Sequence, residues 1–235
     1  MAGRDDREKR IFAEQWRRNF TTTGAISASS RALARAITSQ VIPGDSPCRI
    51  LEAGPGTGVF TVEIARRMGP FDRLDIYEIN PAFADFLDAR LQGDPAFEAA
   101  RGRIILHRED ILLIPADAVY DRIISSLPLN NFQPLQVRKI FDTYFSRLTP
   151  GGILSYFEYA FVRTLKGWVS SSDERRRLRA VEEVTSDFLR RFQVRSDPVV
   201  LNLPPAVARH LVKPADLKVP AGHVRAPLQP AAVVR

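Results

Sequence analysis

Three glycines at every second position stand in Arg49-Ile-Leu-Glu-Ala-Gly-Pro-Gly-Thr-Gly58, between an apolar run and the helical pattern Val59-Phe-Thr-Val-Glu-Ile-Ala-Arg66. Glycines so placed let a backbone bend sharply and approach a ligand that side chains would keep away. Their spacing, G-x-G-x-G, is one residue tighter than the G-x-G-x-x-G that seats a pyrophosphate on a helix N-terminus. Glu52, two residues before the first glycine, also argues against phosphate, because its carboxylate would repel one in a low-dielectric crevice. It suits a cation. A second acid, Glu78, ends the apolar run Leu74-Asp-Ile-Tyr-Glu78, 20 residues after Gly58. In doubly wound folds an acid at that place accepts from the two ribose hydroxyls of a nucleoside. A third, Asp110, follows the strand-like Arg103-Ile-Ile-Leu-His107 and is placed to accept from an adenine amino group. One adenosine bearing a cationic, amino-acid-like tail satisfies all three acids.

Together these segments, ILEAGPGTG, YEIN and EDI in that order, resemble the class I S-adenosylmethionine-dependent methyltransferases. The resemblance implies S-adenosylmethionine as cofactor and S-adenosylhomocysteine as its product. It assigns cofactor contacts to Glu52, Ala53, Gly54, Gly56, Thr57 and Gly58, to Glu78 and Ile79, to Asp110 and Ile111, and to Ser125. The methyl acceptor of this class sits at the end of the fourth strand, here Ser125-Ser-Leu-Pro-Leu-Asn-Asn131. Adenine N6-methyltransferases carry an aromatic after the proline, on which the base stacks. This chain has Leu129 there, which forfeits stacking of about 1–3 kcal/mol per base. No nucleic acid is therefore expected as partner, and an rRNA adenine dimethyltransferase is the alternative reading.

The elements that must position these residues follow from periodicity. The glycine turn opens a helix over about 58–68, and Asn80-Pro81 starts another, proline being suited to a first helical turn. Strands are expected near 103–107, 120–126 and 153–159, the last fed by the turn Thr149-Pro-Gly-Gly152, with a helix near 134–148 before it. Ser170-Ser-Ser-Asp173 caps a helix that carries Leu178, Val181, Val184, Phe188 and Phe192 as a core stripe. A hairpin near 193–203 and 206–213, bent at Leu203-Pro-Pro205, closes the sheet. The expected fold is a Rossmann-like α/β class I methyltransferase: a seven-stranded, mostly parallel sheet with an antiparallel C-terminal hairpin and helices on both faces. Residues 1–45 form an amphipathic helix and substrate lid, 46–213 the catalytic core, and 214–235 a Pro/Ala-rich tail.

At 235 residues with 45% apolar content, the chain has the size and core of one α/β domain. The single cysteine, Cys48, excludes an intrachain disulfide and reads as packing rather than a nucleophile. No leader-type apolar run follows the charged amino terminus, and no run approaches the roughly 18 apolar residues of a membrane span. A net charge of +7 calls for an anionic partner, nucleic acid or an acidic membrane surface.

The flanks of the core point to the acceptor. Residues 4–20 have the pattern of an amphipathic helix, with Phe12, Trp16 and Phe20 at i, i+4, i+8 and Lys9, Arg10, Arg17 and Arg18 beside them. Such a helix packs as a lid or lies in the headgroup region of an anionic membrane. After it, Asn19-Phe-Thr-Thr-Thr-Gly-Ala-Ile-Ser-Ala-Ser-Ser-Arg31 supplies hydroxyls and an arginine just before a second helix, a place that suits a phosphate. NFTTTGAISASSRALA, ILEAGPGTGVFT, SSLPL and LNLPPAV together resemble the bacterial phospholipid N-methyltransferases, over about residues 7–213. Relatives commonly have proline where this chain has Ala28. That resemblance implies stepwise methylation of phosphatidylethanolamine and its mono- and dimethyl derivatives to phosphatidylcholine. It further implies a peripheral location on the cytoplasmic face of the bacterial membrane. Substrate contacts then fall to Trp16, Phe20, Ile26, Ser29, Ser30 and Arg31. The three histidines, His107, His210 and His223, read as surface or structural, so hydrogen-bond acceptors must orient the amine: the Ser126 hydroxyl, the Leu127 carbonyl and the Tyr159 phenol.

Overall fold

The computed structural model describes residues 28–200 apart from 160–171, together with 202 and 204–215. The 4–20 helix with Trp16 and Phe20, as well as Ile26, His223 and nearly all of the tail, lies outside the described residues. Helix α1 (Ala28–Ile37) leads to strand β1 (Arg49–Ala53), the glycine turn and α2 (Val59–Arg67). Then come β2 (Arg73–Tyr77), α3 (Pro81–Gly93), β3 (Ile104–His107), β4 (Tyr120–Ser125) and α4 (Pro134–Arg147). The chain continues through β5 (Leu148–Tyr159), α5 (Ser172–Phe192), β6 (Gln193–Val199) and β7 (Ala206–Val212). The seven strands form one sheet in the order β3-β2-β1-β4-β5-β7-β6. All described pairings are parallel except those of β7, which runs antiparallel between β5 and β6. The sheet and its surrounding helices are those the sequence predicts.

Local chemistry explains most boundaries. Asn80 caps α3 by accepting from the Ala82 and Phe83 amides at 3.0 and 3.4 Å, with Pro81 in the first turn. Pro198 is tolerated in β6 because β6 is an edge strand, where a missing N–H breaks no inner ladder. Beyond it, Asn202 Nδ2 donates to the Pro204 carbonyl at 2.7 Å across the bend before β7. Two expectations are corrected. Thr149-Pro-Gly-Gly152 is not a turn preceding β5 but an irregularity inside it. Tyr120 pairs with Leu148 and the register then jumps to Arg122 with Ile153, while Gly151, at φ 77, and Gly152 bond to Lys213. Secondly, α1 already begins at Ala28, so Ser29, Ser30 and Arg31 form its first turn rather than a loop before it.

Alternation along the strands splits the core in two. Leu51, Ala53, Ile123 and Tyr156 face α4 and α5, where Phe141, Phe145, Phe188 and Phe192 meet in a run of stacked and tilted rings. Of the stripe foreseen on α5, Val181, Phe188 and Phe192 are buried and Leu178 and Val184 half-buried. Ile50, Leu74, Ile76 and Ile124 face the other way, against Leu33, Ala34 and Ile37 of α1 and Phe60 and Ile64 of α2. The Arg122 guanidinium, at the start of β4, donates to the Gln40 carbonyl just past α1 at 2.7 Å. α1 therefore runs against the parallel strands, and its first turn points toward their C-terminal ends.

Candidate functional site

Register brings the strand ends level. Ala53 pairs with Tyr77 on one side and Ser125 on the other, and Tyr77 pairs with His107. The next residues of the three inner strands, Gly54, Glu78 and Ser126, consequently stand side by side. Their amides continue the ladder to the Tyr77, His107 and Ala53 carbonyls at 2.9, 3.0 and 2.9 Å. β1 and β4 are also where the strand order reverses, the crevice in which open α/β sheets take their ligands.

The glycine turn is built for close approach. Gly54, Gly56 and Gly58 have φ of 67, 56 and 81°, the left-handed region that costs a residue with a Cβ about 1–2 kcal/mol. A Cβ on Gly54 would come within 2.6 Å of the Leu127 side chain, and one on Gly58 within 2.7 Å of Leu87. Glu78 fastens the turn: its Oε2 accepts from the Gly56 amide at 3.3 Å and its Oε1 from the Asn80 amide at 2.8 Å. Burial raises its pKa while these amides pull it back, and each oxygen keeps a lone pair for a hydroxyl donor. Arg90 of α3 braces the same turn from outside, donating to the Thr57 carbonyl at 2.7 Å and to Asp94 at 2.6 Å.

Glu52 is the electrostatic centre of the site. It is fully buried, and among the described residues neither carboxylate oxygen has a hydrogen-bond partner. Burial pushes its carboxyl up to about 8, tempered by the nearby Thr61 hydroxyl, which stays outside hydrogen-bonding geometry. An orphaned buried acid beside a positive-φ glycine turn fits a cationic group, so these residues suit an aminoacyl sulfonium ligand. Asp110 caps the short turn Ile111–Leu113, its Oδ1 accepting from the Leu112 amide at 3.0 Å; Ile111 is buried and Ile79 exposed.

At the end of β4 the two serines differ. Ser125 turns toward α4, and its hydroxyl accepts from the buried Tyr144 phenol at 2.9 Å. Ser126 is 7% exposed, and its hydroxyl has no partner among the described residues. Alternation sets Ser126 on the α1–α2 side with Glu52. Tyr159 packs on that same side, edge-on to Phe157 at 5.2 Å. Leu127, Pro128 and Leu129 make an inverse γ-turn, Pro128 at φ −78°, ψ 77°, with the Leu129 amide donating to the Leu127 carbonyl at 2.9 Å. The Leu127 carbonyl thus keeps only its second lone pair for a substrate. Leu129 is buried among the α4–α5 core residues.

The remaining candidates are structural. Burial pushes the Cys48 thiol up to about 11, which keeps it protonated. His107 stacks on Tyr77 at 4.4 Å and lies 3.2 Å from Asp75. His210 is fully buried between Ser155 and Asp197 at 2.8 and 3.3 Å, across three strands. Arg90 and Tyr144 escape a reading of the sequence, because each meets its partner across a wide chain separation and no local motif announces it.

Residues 50–152 match the methyltransferase-domain family. Over 142 residues the chain is 28% identical to the ornithine lipid N-methyltransferase of Singulisphaera acidiphila, covering 60% of this chain and 73% of that one. Among solved structures, the N-methyltransferase NodS from Bradyrhizobium japonicum, in complex with S-adenosylhomocysteine, superposes with a TM-score of 0.55 at 18% identity, over 79% of this chain and 85% of that one. The O-methyltransferase TomG from Streptomyces achromogenes, in complex with S-adenosylmethionine, gives 0.57 at 21%, over 86% and 88%. An O-methyltransferase from Bacillus cereus gives 0.60 at 14%, over 86% and 90%. The family match spans the glycine turn and all three strand-end acids, and the sheet carries them in the strand order of that fold: the chain has the Rossmann-like methyltransferase fold, with a methyltransferase-domain match over residues 50–152.

Proposed function

We propose that this chain methylates the amine of phosphatidylethanolamine-type lipids, including the mono- and dimethyl derivatives, toward phosphatidylcholine at an anionic membrane surface. The observation that carries this reading is the acceptor end of β4. The Ser126 hydroxyl is buried without a partner among the described residues, and the residue after Pro128 is Leu129, sunk in the core. A small amine has an acceptor to meet there and a flipped base has no ring to stack on. The ornithine lipid N-methyltransferase, whose name specifies a lipid nitrogen, supports the same acceptor class.

S-adenosylmethionine supplies a methyl on a cationic sulfur. Glu52 faces the cationic tail, with Ala53, Gly54, Gly56, Thr57 and Gly58 giving the backbone approach. Glu78 accepts from the ribose, Asp110 from the adenine amine, and Ile79 and Ile111 flank the ring, with Ser125 closing the strand end. Transfer requires a neutral amine with its lone pair in line. For the primary amine, Ser126 and the free lone pair of the Leu127 carbonyl accept its two N–H groups and so aim the nitrogen lone pair away from themselves. The monomethyl amine keeps one such bond, and the dimethyl amine, with no N–H, is oriented by packing alone. Burial raises the Tyr159 pKa, so its phenol stays neutral and orients rather than deprotonates. As methyls accumulate the product becomes a fixed cation, which the rings of Tyr159, Trp16 and Phe20 stabilise by about 0.5–2 kcal/mol. Ile26, Ser29, Ser30 and Arg31 receive the rest of the headgroup, the arginine meeting its phosphate.

Methyl-labelled S-adenosylmethionine supplied with phosphatidylethanolamine in anionic vesicles, with ornithine lipid vesicles and with rRNA tests the proposal. Label in phosphatidylethanolamine is expected. Label confined to ornithine lipid would move the substrate to another lipid amine, and label confined to RNA would overturn the lipid assignment.

A further inference from the structure

The acceptor loop is held from outside by a residue far away in the chain. Phe188 and Phe192 of α5 lie on Phe141 and Phe145 of α4, so the two helices run in the same direction and the first turns of α5 reach past the N-terminus of α4. There Arg177 meets the loop after β4. Its Nη1 donates to the Phe132 carbonyl at 2.6 Å and its Nη2 to the Asn130 carbonyl at 2.7 Å. Glu174, one turn earlier, grips the same guanidinium at both ends, accepting from Nε at 2.9 Å and from Nη2 at 2.6 Å. The Arg177 side chain is 16% exposed and that of Glu174 36%, so the guanidinium is shielded while the bidentate carboxylate holds it from the rim.

The loop's own bonds show why the clamp is needed. Leu127, Pro128 and Leu129 have their carbonyls satisfied within the loop, by the Leu129, Asn131 and Phe132 amides at 2.9, 2.8 and 3.2 Å. The Asn130 and Phe132 carbonyls are the ones that Arg177 takes. At its other end the loop presses Leu127 into the space that a Cβ on Gly54 would need. A continuous chain of contacts thus runs from α5, through the guanidinium and the γ-turn, to the glycine turn of the cofactor site.

We propose that Arg177, oriented by Glu174, is a positioning residue for methyl transfer: it fixes the 127–132 loop so that Ser126 and the Leu127 carbonyl stand in register with Gly54. This rests on the assignment of that loop to the acceptor, but not on the acceptor's being a lipid. Lysine reaches one carbonyl and lacks the planar fork, so it restores part of the function. A misplaced acceptor loses rate rather than cofactor affinity.

The experiment uses the full chain with Arg177→Ala, Arg177→Lys and Glu174→Gln, and the acceptor that the wild type methylates. Expected is a kcat lower by about 10- to 100-fold for Arg177→Ala, with KM for S-adenosylmethionine within twofold and Arg177→Lys and Glu174→Gln intermediate. Hydrogen exchange supplies a readout that needs no substrate: amides of 126–132 exchange faster in Arg177→Ala while those of β1 and β4 keep their protection. An unchanged kcat, or unchanged exchange in the loop, overturns the proposal. So does a parallel loss of cofactor binding and of β1 and β4 protection, which marks a purely structural role. Should Arg177→Ala not fold, Glu174→Gln decides alone by the same two measurements. A wild type that leaves lipid unlabelled refutes the lipid assignment, and hydrogen exchange in the loop then still decides whether Arg177 holds it.

Discussion

Glu52 is a fully buried carboxyl group without a hydrogen-bond partner among the described residues, and that state has a sign in pH. With its folded-state value raised to about 8, the protonated acid is the stable form in the cofactor-free protein. Its contribution to stability is present below the ordinary carboxylate range and is lost as pH rises through about 8, at up to about 1.4 kcal/mol per pH unit. Thermal unfolding without cofactor is therefore expected to weaken between pH 5 and 8, and Glu52→Gln to flatten that slope while keeping the fold. S-adenosylmethionine affinity, measured by calorimetry, is expected to tighten in the wild type over the same range. In Glu52→Gln it is expected to be about 10- to 100-fold weaker and indifferent to pH, the loss of one hydrogen-bonded charge. This residue and Glu78 are legible in the sequence because each acid sits next to its own strand end and glycine turn. The partner of Ser125 is not, since Tyr144 reaches it only through the packing of α4 on the sheet.

At the scale of elements, the core between α4, α5 and the sheet rests on rings. Phe188 is buried and touches Phe141, Phe145 and Phe192, with Arg138 over its face at 5.2 Å. Phe188→Ala is expected to lower unfolding free energy by about 3–5 kcal/mol in urea titrations, the cost of a cavity that rigid neighbours do not refill. Because α5 also carries Arg177, the same packing sets the height at which the guanidinium meets the loop after β4. Helix periodicity reveals the stripe on α5, and strand alternation the inward faces of β1 and β4. The Pro-Gly-Gly segment misleads because its residues usually make turns, whereas pairing with β4 and Lys213 draws them into a strand. The start of α1 is similarly obscured, since serines that often precede a helix here lie within its first turn.

For the whole molecule, the orientation of α1 matters most. Running against the parallel strands, it points its first turn toward the strand ends that carry Gly54, Glu78 and Ser126. Among the described residues no helix is long and apolar enough to cross one. Deleting residues 1–20 is expected to abolish sedimentation with anionic vesicles while leaving the sheet folded by circular dichroism. In the intact protein, binding is expected to fall as salt rises through the range where the Debye length drops below about 8 Å. Equal sedimentation of the truncated chain would refute the role of that segment.

The sequence by itself determined the cofactor class, the strand-end acids and the order of elements, because each is written in contiguous residues whose period or spacing has one physical meaning. Only the tertiary structure decided that, among the described residues, Glu52 is orphaned and Ser125 is engaged while Ser126 is not, and that Arg90 braces the glycine turn and Arg177 the loop after β4. Those facts depend on burial and on register between strands and helices distant in the chain, and neither is encoded in any local pattern.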